Sequence, residues 1–218
     1  MTQDLDSNLA QQDPDRWLSS RFVADAGARA DLVALYSLDN ELRAIAGKVS
    51  EPLVGEMRLA WWRESLEGLM AGGPTRGHPV LEALKVASLP LDVLATLPDR
   101  RIADLDKPAD DEALLAQIDE TDGVVMGVAA LRLDPAARVE QVADAARALT
   151  LAKRGLADRA AVREVLRRGK AALAGLPVAA FPAVAHAALA VGYAGGGRPG
   201  PISKRIRVTL AVMTGRLT

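Results

Sequence analysis

The stretch that decides the fold is "ARADLVALYSLDNELRAIAGKVSEPLVGEMRLAWWRESLEGL", Ala28 to Leu69. Its apolar residues recur at spacings of three and four. Leu35, Leu38, Leu42, Ile45 and Val49 share one side of a helix that runs from about Ala28 to Val49. "SEP" at Ser50 to Pro52 stops that helix, because proline disfavours helical backbone in the residue before it. A second helix follows with Leu59, Trp62, Leu66 and Leu69 as its stripe, closed by "AGGP" at Ala71 to Pro74, where glycine suits a helix C-terminus. It holds two of the chain's three tryptophans side by side.

The same period extends outward. "DPD" at Asp13 to Asp15 caps a first helix. A short helix follows "GHP", near Pro79 to Ala87, and "LPLDVLATLPD" has too many prolines for one long helix. Asp110 and Asp111 cap another start, with Glu112 favoured at the positive end of the dipole. Further helices are expected over Pro135 to Arg154 (Val139, Val142, Ala146 and Leu149 on one face), Ala160 to Ala174, Pro182 to Tyr193, and Ile202 to Leu217. Ile202, Ile206, Leu210, Met213 and Leu217 lie on one side of the last. Strand signals are scarce. The expectation is an all-α fold in a single domain over residues 14–218, with residues 1–13 as a flexible polar leader.

Composition narrows the function. Twenty-seven basic and 28 acidic residues leave a net charge of −1, which argues against nucleic acid as a partner. Cysteine is absent, so disulfides, thiolate catalysis and Cys-ligated metals are excluded. Two histidines, His78 and His186, are too few for a His-rich metal centre. The N-terminus lacks the basic start and apolar stretch of a secretory signal. Residues 171–197 carry no charge, but they are rich in alanine and glycine and interrupted by Pro177 and Pro182. A buried helix is favoured there over a membrane span.

Four linked features carry a resemblance: "SRF" at Ser20 to Phe22, "ALY" at Ala34 to Tyr36, "SEP" after that helix, and "RLAWWRESL" beyond it. Together they resemble the N-terminal third of the squalene/phytoene synthase family, most closely from Asp15 to Leu84. The resemblance implies a helical bundle of the isoprenoid synthase type. It also implies a chemistry, the head-to-head joining of prenyl diphosphates. There Mg²⁺ neutralises charge on the departing diphosphate and is held by aspartates on two facing helices.

Those aspartates are missing here. The family's first acidic cluster begins seven residues after the tyrosine, which places it on Arg43, Ala44 and Gly47. The second motif aligns with "LTLAKRG", Leu149 to Gly155, and its two metal-binding positions become Gly155 and Arg159. Asp158 is one position off, about 100° around a helix. Asp39 and Glu41 diverge on their helix, Asp106 and Asp110 read as a capped loop, and Glu64 and Glu67 as a solvated face or partners of Arg63. No metal site, no catalytic residue and no cofactor are therefore expected. Mg²⁺ would enter only if other carboxylates sustain an active enzyme.

Within the family, "LDNELRAIAGKVSEPLVGEMRLAWWRESL" resembles the non-catalytic branch of complex I assembly factors. That implies an accessory or assembly role with a protein partner. Two alternatives stay open: an active Mg-dependent prenyl-diphosphate transferase, and a peripheral membrane protein that binds an isoprenoid or lipid. The cavity and ligand-binding candidates are Tyr36, Arg43, Arg58, Trp62, Arg63 and Arg154. Trp62 reads as core, and Trp61 as the edge of the core or a cavity wall. Arg58 and Trp62 are spaced for cation–π contact or simple packing. Arg63 faces a cavity anion or solvent. His78 is a cap or solvated, and His186 a hydrogen-bonded core residue. "SKRIR" at Ser203 to Arg207 begins an amphipathic helix that is solvated or touches anionic lipid. A cytoplasmic location is expected, with peripheral contact at the inner membrane.

Overall fold

The computed structural model describes residues 2–49 and 51–217, so Ser50 of the expected helix stop lies outside the described residues. Among the described residues there are twelve α-helices, with short 3-10 segments and one π turn between them, and no strand.

Helix α3 (Ala26–Lys48) is its axis. Asp25 caps it, accepting from the Ala28 amide at 2.6 Å. Leu32, Leu35, Leu38 and Leu42 on α3 are fully buried, each contributing about 1.5–3 kcal/mol. Around α3 pack α1 (Thr2–Gln12), α2 (Pro14–Ser20), α4 (Pro52–Met70) and α5 (Pro79–Val86). Val49 and Glu51 have extended backbone on either side of the break, and Pro52 opens α4.

Helix α1 corrects the expectation of a flexible leader. The polar composition hides Leu5 and Leu9, four residues apart, and both are buried in the core. Asp13 then caps α2 as expected, accepting from the Arg16 amide at 3.2 Å.

Helix α6 (Leu91–Arg100) lies along α4 and accommodates Pro98 in its last turn, after which Arg101–Leu105 tighten into a 3-10 turn. α7 (Asp111–Ile118) is capped by Asp110 and runs through a π turn (Asp119–Gly123) into α8 (Val124–Leu133). α9 (Ala143–Lys153) starts later than expected. The Gln141 side chain accepts from the Arg138 amide and donates to the Gly175 carbonyl, which holds the preceding residues in a turn. Val139 therefore packs beside Gly127 rather than on the face of α9. α10 (Arg159–Ala174) is capped by Asp158.

The uncharged segment is buried but not one helix. Its expected Pro182 to Tyr193 helix is two 3-10 segments, Val178–Ala183 and Ala185–Leu189, followed by the single turn α11 (Ala190–Tyr193). Residues 180–190 are all buried. Alanine side chains let the backbone approach its neighbours closely, and Ser19 donates to the Pro182 carbonyl at 2.6 Å. No helix among the described residues is long and apolar enough to cross a membrane.

The last helix, α12 (Pro201–Thr214), is turned the opposite way from a core helix. Val208 and Ala211 are buried, whereas Ile202, Ile206, Leu210 and Met213 face out.

Candidate functional site

Helices α2, α3 and α9, the 3-10 turn after α6 and the π turn before α8 converge on one buried polar centre. Asp39 is its middle. It projects from α3 with no exposed surface. Arg16 of α2 clasps one carboxylate oxygen, and Nη2 of Arg101 donates to the other at 2.5 Å. Arg43, one turn further along α3, stands 3.5 Å away.

Asp122, set inward by the π turn, faces the same cations. Nη2 of Arg101 and Nη1 of Arg43 are each 3.5 Å from it, and Nη2 of Arg16 is at 3.6 Å. The turn is stabilised where Thr121 donates its hydroxyl to the Gln117 carbonyl at 2.6 Å. Arg154, at the end of α9, spans Asp122 (3.8 Å) and Asp104 (3.2 Å). Asp104 also accepts from Arg101 at 2.9 Å and from Gln117 at 2.6 Å. With Asp13, 3.7 Å from Nε of Arg16, four carboxylates and four guanidinium groups thus neutralise one another. A cavity of about 80 Å³ remains, lined by Arg16, Arg43, Asp122, Lys153 and Arg154.

A second polar cluster adjoins the first. Asp15 of α2 meets Lys153 at 2.9 Å and Lys204 at 2.8 Å, and accepts from the Tyr193 hydroxyl at 2.6 Å. Arg16 lies over the Tyr36 ring, 5.1 Å from its centroid. The His186 ring meets Tyr36 edge-on at 6.3 Å. Neither ring nitrogen of His186 has a partner within the protein, and neither does the Tyr36 hydroxyl. The expected hydrogen-bonded core histidine is therefore buried but unpaired.

The ionisation states follow from burial and charge. Burial alone would raise the Asp39 carboxyl, but Arg101, Arg16 and Arg43 outweigh it and hold it below its ordinary value. Arg16 and Arg101, which burial would discharge, are kept charged by the same carboxylates. Burial, aided by Arg16, pushes His186 down to about 3. Burial also raises the Tyr36 hydroxyl above its ordinary value.

The sequence candidates separate in space. Tyr36, Arg43 and Arg154 meet at the polar centre. Arg58 and Trp62 line a different cavity of about 180 Å³ with Glu41, Ala44, Lys48 and Trp61. Of the two tryptophans of α4, Trp61 has a guanidinium over its ring, and it is that of Arg76, 5.9 Å from the centroid, rather than that of Arg58. Trp62 is core, 5 % exposed, and Trp61 packs at its edge. Arg63 faces neither cavity and pairs with Asp99 of α6 at 3.0 Å. His78 caps α5, its Nδ1 accepting from the Val80 amide at 3.3 Å.

The residues present do not fit the family's metal. Arg43 stands where the resemblance would put the first carboxylate, and at about 4 Å it repels each unit of positive charge by roughly 4 kcal/mol at an effective dielectric of 20. Gly47 follows one turn on, near the exposed end of α3. The two positions that the resemblance gives to the second motif are also parted by the backbone. α9 ends at Lys153, and Gly155 adopts φ +69°, a left-handed conformation that turns the chain out of the helix. Arg159 already belongs to α10. Among the described residues no three His, Asp or Glu are grouped to hold a metal ion.

Asp39, Arg16, Arg101, Asp104 and Asp122 carry the centre; of these only Asp39 is weighed in the sequence reading, where it is set aside as diverging from Glu41. Asp39 has one legible signal: it falls on the Leu35–Leu38–Leu42 stripe, where a solvated aspartate has no place.

No curated protein sequence matches the chain. A family model described as squalene/phytoene synthase matches residues 9–153, from within α1 to the last residue of α9. This span contains both tryptophans of α4, the axis helix and most of the polar centre, and so the chain belongs to the squalene/phytoene synthase family.

Proposed function

We propose that this protein keeps the fold of its family without prenyl transfer and serves as an accessory or assembly factor, binding a protein partner, of the kind that assists a respiratory complex. One observation carries the reading. The carboxylates at the centre of the fold are each engaged by guanidinium groups, and Arg43 falls at the position that the resemblance gives to a metal ligand. A diphosphate leaving group needs a metal there, and the donor set repels one.

The ionisation states support the same reading. A general acid or base works best with a pKa near the operating pH. His186, Asp39 and Tyr36 are all held away from that range. The likeness of "SEPLVGEMRLAWW" to the assembly-factor branch favours a respiratory complex as the client, at the cytoplasmic side of the inner membrane.

The test is incubation of the pure protein with farnesyl or geranylgeranyl diphosphate and Mg²⁺. Release of diphosphate is expected to stay at the background rate. Turnover that a chelator abolishes would establish the transferase alternative instead. The accessory role has its own readout: deleting the gene lowers the assembled respiratory complex on native gels and leaves isoprenoid products unchanged.

A further inference from the structure

Helix α12 presents its large aliphatic side chains to solvent and its small ones to the protein. Ile202 and Met213 are about three-quarters exposed, and Ile206 and Leu210 more than half, whereas Val208 and Ala211 are buried. Burial of apolar surface favours the reverse, so the outward face calls for a cover.

Charge indicates what covers it. All 28 acidic residues lie at or before Glu164, and eight of the 27 basic residues lie after it. Residues 165–218 therefore carry +8 and the rest −9. On α12, at about 100° per residue, the four aliphatics span about 80°, with Arg205 and Arg207 each about 60° beyond a margin. An apolar strip edged by arginines matches a lipid interface, where chains enter the acyl boundary and guanidinium groups stay at the headgroups. Nucleic acid would call for basic residues at the centre of the face. The strip continues into a groove of about 530 Å³ between α10 and the end of α12, lined by Val178, Phe181, Met213, Lys170 and Arg216. Lys204 is turned inward to Asp15 and anchors the helix to the body of the protein.

We infer that α12 docks this protein on an anionic lipid surface, with Ile202, Ile206, Leu210 and Met213 inserted and Arg205 and Arg207 at the headgroups. The inference is independent of the accessory role and of prenyl transfer.

Flotation of the full chain with phosphatidylcholine vesicles, with and without phosphatidylglycerol, tests it. The protein floats with the anionic vesicles at low salt and is released as salt screens the charges. Arg205→Ala and Arg207→Ala each weaken partitioning about fivefold. Ile206→Asp with Met213→Asp abolishes it, while the melting curve stays that of the wild type because both positions are exposed. Three results overturn the inference: no flotation of the wild type, equal flotation of the aspartate variant, or a self-associated wild type that the aspartate variant makes monomeric without any lipid binding. The last would assign the strip to a second copy of the chain.

Discussion

Replacing Arg101 with methionine probes whether the polar centre is a desolvated, mutually neutralised unit. Arg101 is 1 % exposed and reaches Asp39 at 2.5 Å, Asp104 at 2.9 Å and Asp122 at 3.5 Å. Methionine fills much of the volume but supplies no donor. Asp39 keeps Arg16, but Asp122 is left with guanidinium groups at 3.5 Å or beyond, two of them partly exposed. Removing one partner from a buried ion network costs about 3–5 kcal/mol. With three carboxylates affected, about 4 kcal/mol is expected at pH 7. At about 2.1 cal/mol/K per residue, 218 residues give an unfolding entropy near 0.46 kcal/mol/K, so the melting temperature falls by about 9 °C.

The pH dependence follows from Asp39. Its folded value lies below its ordinary one, so its contribution is present above about pH 4 and is lost as pH falls through the folded value. Without Arg101, burial of Asp39 is less opposed and its folded value rises. Protonation then relieves the variant, and its penalty shrinks on acidification from pH 7 toward pH 3. Urea titrations followed by tryptophan fluorescence and far-UV circular dichroism measure both effects, with coincident transitions as the check on two-state behaviour. A penalty below about 1 kcal/mol at pH 7, or one that stays constant with pH, would refute the reasoning.

Other sites give independent tests. His186→Phe is expected to leave stability within about 1 kcal/mol of the wild type or raise it, because it removes two buried nitrogens without partners; NMR of the wild-type imidazole should show no titration between pH 5 and 8. Trp62→Ala should cost about 3–5 kcal/mol in a urea melt, and Trp61→Ala distinctly less, since only Trp62 is buried. Gly197→Ala places a Cβ 2.1 Å from the Gly192 carbonyl oxygen and should lose about 1–3 kcal/mol by forcing the backbone apart. Gly47→Ala meets nothing within 4 Å on α3 and should gain about 0.5–1 kcal/mol.

The helices were legible where period and caps agree. Asp13 and Asp110 sit at helix starts as their chemistry requires, and the Leu35–Leu38–Leu42 stripe lies in the core. Period alone misplaced α9, whose start is set by Gln141 reaching Gly175 across the fold. It also left open which side of α12 faces inward, since Val208 and Ala211 form a seam too narrow to register as a stripe. The polar centre was the least legible part. Arg101 lies in "DRRIADL" and Asp122 in "DETDG", runs whose composition is that of a solvated loop. Their burial arises from a 3-10 turn and a π turn that no local pattern announces.

Gly155 bears on whether a carboxylate pair is within reach of engineering at this end of α9. Aspartates introduced at 155 and 159 would stand on separate elements, one in a left-handed turn and one at the start of α10. No exchange of side chains there recreates two carboxylates on one helical face. A designer seeking a metal site there would have to lengthen α9 and rebuild its junction with α10 before choosing any ligand. The barrier is architectural, and it would persist even in a variant carrying Arg43→Asp.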